Sequence, residues 1–253
     1  MRDRSRLTAH AQSFGQAAET YAKARPSYPA QAVDWLVPEG ASRVLDLGAG
    51  TGKLTEVLVA RGLDVVAIDP SGQMLDELSK RLPAVEAIVG TAELLPLPDA
   101  SVDAVTVAQA WHWIDAQAAV PEIARVLRPG GALGLVWNTR DESVDWVAEL
   151  GEIMGGTAHY DLEDGEPTIG PPFGATERWQ TTWTQTLNRD ELLDLVRSRS
   201  YVLVTSDAEQ RATLAAVTEL IERHPALRGS ENVELPYLTE CYRARLPEDG
   251  RVR

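Results

Sequence analysis

A glycine-rich stretch near residue 50 is the feature of this sequence that most directly suggests chemistry. Residues 44–52 read VLDLGAGTG, an apolar run typical of a buried strand followed by a turn. Glycines at such a turn let the backbone adopt positive φ angles and approach a ligand closely. Asp46 lies just before the first glycine, and Asp69 ends the next apolar run, 19 residues beyond Gly50. The spacing predicts a ligand site where these two strands end.

Three kinds of ligand compete for such a turn. A P-loop would need a glycine at position 47 and a serine or threonine at position 54, and both residues are leucine. The dinucleotide pattern G-x-G-x-x-G would need its third glycine at position 53, which is lysine. The Asp46 carboxylate would repel a pyrophosphate, whereas it suits a cationic ligand such as the ammonium and sulfonium of S-adenosylmethionine. Asp69 is placed to accept hydrogen bonds from both hydroxyls of a ribose.

The alternative is a turn that binds nothing and only links a strand to a helix. In that case Asp46 is a helix cap and Asp69 is an ordinary strand-end acid. The position of both carboxylates at the same sheet edge favours the ligand site over this alternative.

The elements that position this turn form an alternating series. Strands are predicted at residues 43–47, 64–69, 85–89, 102–108 and 132–137, and helices at residues 53–61, 72–81 and 116–127. Such alternation is typical of a parallel sheet with helices on both faces. Later strands are predicted at residues 179–187 and 232–244, with helices at residues 144–154, 189–197 and 207–223. We expect the two late strands to form an antiparallel edge of the sheet.

Composition and charge exclude several classes of protein. The chain has 253 residues, of which 44% are apolar and 25% charged, as in an ordinary globular domain. Its formal net charge of −14 argues against a nucleic-acid partner. The longest apolar segment, residues 102–120, is interrupted by charges, so no membrane span is expected. One cysteine and four scattered histidines predict no metal site, and the absence of a signal-peptide pattern in residues 1–10 predicts a cytoplasmic protein.

Four motifs in order carry a resemblance to a known family. VLDLGAGTG, VVAIDPSGQML, GTAELLPLPDASVDAVTVAQAWHW and ARVLRPGGALGLVWN together resemble class I S-adenosylmethionine-dependent methyltransferases of type 11. The resemblance covers roughly residues 10–140 and is to the small-molecule branch related to trans-aconitate methyltransferase. It implies an α/β, Rossmann-like, doubly wound sheet of seven strands in the order 3-2-1-4-5-7-6, with strand 7 antiparallel.

The resemblance also divides the chain. It implies an amino-terminal lid segment at residues 1–35, a methyltransferase domain at residues 36–246 and a tail at residues 247–253. Within the domain, residues 139–176 are a loop-rich insertion after strand 5 that would shape the acceptor pocket. The lid carries the pattern F-x6-Y-x3-R-P-x-Y-P, in which Tyr21 and Arg25 are expected to cover the cofactor. A surface helix with an ordinary aromatic face is the alternative.

The family's cofactor contacts can be carried over residue by residue. S-adenosylmethionine, which becomes S-adenosylhomocysteine, would contact Asp46, Gly48, Ala49 and Gly50 through its methionine part, Asp69 through its ribose, and Pro70 and Met74 through its adenine. Thr91 stands where relatives often have an aspartate beside the adenine, so this contact is assigned to Ala92 and Glu93. Glu93 as a plain helix-start acid is the alternative. Gln109, Ala110 and Trp111, which follow the fourth strand, complete the predicted cofactor site.

The expected acceptor is a small molecule, with a carboxylic acid as one candidate. His112, flanked by two tryptophans, is a candidate general base or a lining residue of the cofactor pocket. Arg140 is the first candidate for holding a carboxylate, and Arg178 and Arg199 are weaker ones; the alternative for Arg140 is a surface pair with a neighbouring acid. A carboxylate acceptor is already ionised and needs no base. Two other functions stay open: a non-catalytic S-adenosylmethionine-binding regulator and a nicotinamide-dependent oxidoreductase. The sequence gives no prediction of whether the protein is a monomer or an oligomer.

Overall fold

A computed structural model of the chain describes residues 25–154, 167, 169–199, 202 and 205–248. The predicted site residue Tyr21, most of the predicted lid, and residues 155–166 of the predicted insertion therefore lie outside the described residues. The described strands are β1 (Arg43–Leu47), β2 (Asp64–Asp69), β3 (Glu86–Val89), β4 (Val102–Ala108), β5 (Leu127–Arg140), β6 (Glu177–Asn188) and β7 (Asn232–Arg245). The described α-helices are α1 (Ala30–Leu36), α2 (Lys53–Ala60), α3 (Gly72–Arg81), α4 (Ala116–Val126), α5 (Asp145–Ile153), α6 (Arg189–Arg197) and α7 (Asp207–Arg223).

The predicted sheet is confirmed. Its seven strands lie in the order β3-β2-β1-β4-β5-β7-β6. Strands β1 to β5 pair with one another in parallel, and β7 runs antiparallel to both β5 and β6. In a parallel sheet the carboxyl ends of the strands meet at one edge. The turn after β1, the end of β2, the loop after β4 and the end of β5 therefore lie along the same edge.

The fifth strand differs from its prediction. It begins at Leu127, directly after α4, rather than at residue 132, and it includes residues 128–131, whose sequence RPGG is typical of a turn. The physical reason is that Leu127 already pairs with Val102, and a shift in register separates this pair from the regular pairing further along β4 and β5. At its other end, β5 extends to Arg140, which was predicted to follow the strand.

The core lies on both faces of the sheet. On one face, Leu45 and Leu47 pack with α4 residues such as Ile123. On the other face, Val44 packs against α1 and α2, through residues that include Leu36. Because side chains alternate along a strand, β1 is buried on both sides, as its continuous apolar sequence predicts. A separate cluster joins α5, α6 and α7 to the ends of β6 and β7. No helix in the described part of the chain is long and apolar enough to cross a membrane.

Helix α1 is fixed to the sheet by a close approach at Gly134. A Cβ atom built on Gly134 would lie 2.9 Å from Cδ2 and 3.3 Å from Cβ of Leu36. A side chain at this position on β5 would therefore push α1 away from the sheet. Residues 25–29 directly precede α1 in the chain, so the contact that fixes α1 also limits where these residues can lie.

We predict that Gly134→Ala lowers the free energy of unfolding by about 1–3 kcal/mol, the usual cost of overpacking a core. In a Leu36→Ala background, which by itself costs about 2–5 kcal/mol, the same glycine substitution should cost less than about 1 kcal/mol. Urea unfolding of the four proteins in this double-mutant cycle measures the coupling. Additive costs would show that the two residues do not limit each other.

Candidate active site

The glycine-rich turn donates hydrogen bonds to the end of the neighbouring strand, β2. The backbone N–H groups of Gly48 and Ala49 donate to the carbonyl of Ile68 at 2.8 and 3.1 Å. The N–H of Gly50 donates to Oδ2 of Asp69 at 2.8 Å. Asp69 therefore does two things: it closes β2 and it fixes the turn after β1.

Gly48 is required by both its backbone and its surroundings. Its φ is +72°, and a Cβ atom there would lie 2.7 Å from Cβ of Ala110, in the loop after β4. By contrast, a Cβ atom on Gly50 would meet no atom within 4 Å. The turn is thus packed tightly on the side of β4 and is open at Gly50, where a ligand can approach the backbone.

Asp46 is a fully buried carboxyl beneath this turn. Its Oδ2 accepts a hydrogen bond of 2.5 Å from the hydroxyl of Thr55, and its Oδ1 has no partner among the described residues. Burial raises the pKa of Asp46 to about 7; the hydrogen bond from Thr55 opposes the rise, and repulsion from Asp69 adds to it. A buried carboxyl with one oxygen unmatched is costly unless a ligand donates to it.

Asp69 lies at the same edge and is also buried. Its two carboxylate oxygens accept backbone N–H groups from Gly50 and Ser71, each at 2.8 Å. Burial raises its pKa, and the two backbone donors oppose the rise. Each carboxylate oxygen can accept more than one hydrogen bond, so Asp69 keeps acceptor capacity for two ligand hydroxyls.

The loop after β4 places the predicted aromatic residues in different environments. Trp111 is buried in the core, where it belongs to the cluster beneath this face of the sheet. His112 is half-buried, with its ring 4.7 Å from that of Trp113, which is exposed. The three residues form a single 3-10 turn that directs successive side chains differently. The two tryptophans that flank His112 therefore do not line the same space.

The predicted adenine contacts lie beyond β2 and β3. Met74 is buried on α3, whereas Pro70 and Thr91 are exposed. Ala92 is buried in the core, and Oε1 of Glu93 accepts the N–H of Asp115, the N-cap residue of α4, at 3.1 Å. The role of these residues in adenine binding stays a prediction.

A cavity joins the glycine-rich turn to two arginines. The described residues that line it are Arg25, Pro26, Tyr28, Gly48, Ala49, Gly50, Thr51, Lys53, Leu54, Ala108, Gln109 and Arg199. Arg199 is buried. Arg25 donates from Nη2 to the backbone carbonyl of Ser198, the residue before Arg199, at 3.2 Å. The structure thus brings Arg25, the turn and Arg199, which follows α6, to one cavity. That Arg25 covers the cofactor stays a prediction.

Arg140 belongs to the same group of cations. It is buried at the end of β5, directly opposite Tyr237 on β7, and its Nη2 lies 3.8 Å from Oε1 of Glu142. Burial raises the pKa of Tyr237, and the positive charges of Arg199, Arg140 and Arg25 oppose the rise. The three guanidinium groups therefore lie near one buried hydroxyl.

Sequence reasoning found part of this site. It singled out Arg25 and Arg140, gave Arg199 less weight and did not consider Tyr237. The signal for Tyr237 was its place in the final strand, but the pairing that puts it opposite Arg140 could not be read along the chain. Among the described residues, no group of three or more His, Cys, Asp or Glu side chains could hold a metal ion.

Comparison with known proteins agrees with this geometry. A family model described as a methyltransferase domain matches residues 45–135. An uncharacterized methyltransferase of Mycobacterium tuberculosis is 57% identical over 240 residues, which are 92% of this chain and 96% of the relative. This chain belongs to the methyltransferase family. A methyltransferase-like protein of Schizosaccharomyces pombe is 34% identical over 232 residues, covering 88% of this methyltransferase and 91% of the relative.

A solved structure supports the same assignment for the whole fold. The structure of a type II methyltransferase from Anaeromyxobacter dehalogenans superposes on this methyltransferase with a TM-score of 0.65 and 26% sequence identity. The match covers 88% of this chain and 98% of the other. The agreement therefore extends beyond the nucleotide-binding half of the sheet.

The cofactor of this methyltransferase is S-adenosylmethionine. The residues present fit it: the unmatched oxygen of Asp46 is a ready acceptor for a cationic group, and the open space at Gly50 admits a ligand. The buried hydroxyl of Thr51, which has no partner among the described residues, adds a further polar group at the turn. The assignment of each cofactor contact to a residue remains a prediction.

We predict that S-adenosylhomocysteine binds more tightly as the pH rises from about 6 to about 8. The pKa of Asp46 is about 7 in the ligand-free protein, so a cationic ammonium beside it must displace a proton at lower pH. Isothermal titration in buffers of different ionisation enthalpy measures that released proton. Asp46→Asn should bind more weakly and lose this part of the proton release. An unchanged proton count in the variant would assign the pH dependence to another group.

Proposed function

We propose that this methyltransferase transfers the methyl group of S-adenosylmethionine to a small molecule that carries a carboxylate. The observation that carries the proposal is the cavity lined by both the glycine-rich turn and the two arginines, Arg25 and Arg199. A ligand at the turn and an anion at these arginines would be neighbours. The acceptor is thus expected to be held at the carboxyl edge of the sheet, beside the cofactor.

Charge supports the same conclusion. In the part of the chain that the structure describes, the only buried basic side chains are Arg140 and Arg199. Among the described residues, Glu142 lies beside Arg140, with 3.8 Å between Nη2 and Oε1. The arginines lie together in a protein whose net charge is −14, so their grouping is a local feature and not an overall bias. A carboxylate would supply a negative charge and the two acceptor oxygens that guanidinium groups prefer.

The reaction proposed is in-line displacement. When bound, S-adenosylmethionine supplies an electrophilic methyl group on its sulfonium. An acceptor carboxylate oxygen forms the new C–O bond while the S–C bond breaks, and the electron pair of that bond goes to sulfur. The products are a methyl ester and S-adenosylhomocysteine, and no proton moves. The chain then contributes by positioning, which supplies on the order of 7–11 kcal/mol in favourable cases.

We predict that Arg199→Gln raises KM for the acceptor by tenfold or more, because a charge-assisted hydrogen bond contributes about 1.5–3 kcal/mol. S-adenosylhomocysteine affinity should change less than about threefold, since the cofactor's predicted anchors are elsewhere. Release of S-adenosylhomocysteine is measured with a panel of mono-, di- and tricarboxylic acids and with their neutral esters.

The matched control is Arg197→Gln, which removes an exposed arginine two residues away that pairs with its neighbour Asp194 on α6. It should leave both constants unchanged. If the esters are methylated as fast as the acids, or if the control behaves like Arg199→Gln, the acceptor is not held as a carboxylate. Binding of S-adenosylhomocysteine without turnover of any compound would favour the non-catalytic regulator instead.

His112 distinguishes a carboxylate acceptor from one that must lose a proton. With a carboxylate, we predict that His112→Ala changes kcat by less than about tenfold, because no base is needed. With a phenol or amine acceptor and His112 as the base, kcat should fall by about a hundredfold while cofactor affinity stays nearly intact. Steady-state kinetics beside a binding titration separate the two cases.

A further inference from the structure

Asn138 connects two walls of the cofactor cavity without lining it. It lies near the end of β5 and is buried. Its side-chain Nδ2 donates to the backbone carbonyl of Ser27 at 2.9 Å. Its backbone carbonyl accepts a hydrogen bond from Nε2 of Gln109 at 2.8 Å. Ser27 belongs to residues 25–28, here called the strap, in which Arg25, Pro26 and Tyr28 line the cavity. Gln109 lines the cavity from the opposite side, after β4.

The orientation of the Asn138 side-chain amide is fixed by its partners in the strap and in β7. The hydroxyl of Thr239 on β7 donates to Oδ1 of Asn138 at 2.6 Å. The same hydroxyl accepts Nε1–H of Trp183 on β6 at 2.8 Å. The Ser27 carbonyl can only accept, so the Asn138 amide group must turn its nitrogen toward Ser27 and its oxygen toward the threonine proton. The amide nitrogen of Asn138 is therefore the end that faces the strap.

The second bond orients Gln109 in the same way. Gln109 has a φ of +56°, which is uncommon for a residue with a side chain. Its Nε2 is committed to the carbonyl of Asn138, and its Oε1 is buried without a partner among the described residues. The Oε1 atom of Gln109 is thus an acceptor that can take a hydrogen bond from a ligand in the cavity. An acceptor suits the ammonium of the cofactor's methionine part.

We propose that Asn138 is a positioning residue that holds the strap and Gln109 against the bound cofactor. Asn138 does not line the cavity itself. One of its bonds holds Ser27 in the strap, whose other residues line the cavity, and the second holds Gln109, which lines it directly. The inference concerns cofactor retention and does not depend on the proposed carboxylate acceptor.

The test is Asn138→Asp, which keeps the size of the side chain, the carbonyl that holds Gln109 and an oxygen for Thr239. It replaces the donor to Ser27 with a second acceptor, so the strap loses its bond. We expect the Kd of S-adenosylhomocysteine to rise about tenfold, the effect of losing one buried hydrogen bond, mainly through faster dissociation. In the liganded protein, peptides covering residues 25–36 should exchange amide hydrogen faster, while peptides from β1 to β4 keep their protection.

Two further variants keep the result interpretable. Thr239→Val removes the hydroxyl that orients Asn138 and should shift the same two measurements in the same direction by a smaller factor. Thr139→Val is the matched control: it removes a hydroxyl from the next residue of β5, which donates to the carbonyl of Leu238 in β7. It should leave the Kd and the exchange of residues 25–36 unchanged.

The proposal is overturned by an unchanged Kd and unchanged exchange in Asn138→Asp. It is equally overturned if exchange rises uniformly across the sheet, because that pattern indicates a structural role only. Should Asn138→Asp fail to fold, Thr239→Val decides by the same measurements. A change in acceptor KM with normal cofactor retention would instead assign Asn138 to the acceptor site.

Discussion

The site depends on four charged side chains buried at one edge of one sheet. Asp46 and Asp69 lie at the ends of β1 and β2, Arg140 ends β5, and Arg199 follows α6. Removing a charge from water is costly unless an opposite charge or hydrogen-bonding groups compensate for the lost hydration. The two carboxyls respond with raised pKa values, an option that arginine does not have. A cationic ligand on one side and an anionic ligand on the other would relieve both costs.

The fold makes this separation of charges possible. Parallel pairing of β1 with β2 and β4 brings the acids and the glycine-rich turn together, because all three strands end at the same edge. The antiparallel β7 returns along β5 and places Tyr237 opposite Arg140. The edge therefore has an acidic half under the cofactor turn and a basic half beyond it. A sulfonium and a carboxylate placed on these halves would be drawn to adjacent positions.

Buried hydrogen bonds connect the two halves. Trp183, Thr239 and Asn138 link β6, β7 and β5 to the strap, while the carbonyl of Asn138 holds Gln109 after β4. The Ser27 and Asn138 carbonyls can only accept, so the side-chain amides of Asn138 and Gln109 must both turn their nitrogens toward them. Cofactor cavity and sheet edge are in this way parts of one connected structure.

The sequence by itself determined the elements and the cofactor turn, because these depend on local periodicity, glycine and residues close in the chain. Helices α3, α6 and α7 have the predicted limits, whereas β5 starts earlier because Leu127 finds a partner on β4. Only the tertiary structure decided the basic half. Arg25, Arg140 and Arg199 are far apart in the chain, and no local pattern marks an arginine that will be buried beside another. Strand pairing and the packing of the strap bring them together, and these long-range contacts cannot be read along the sequence.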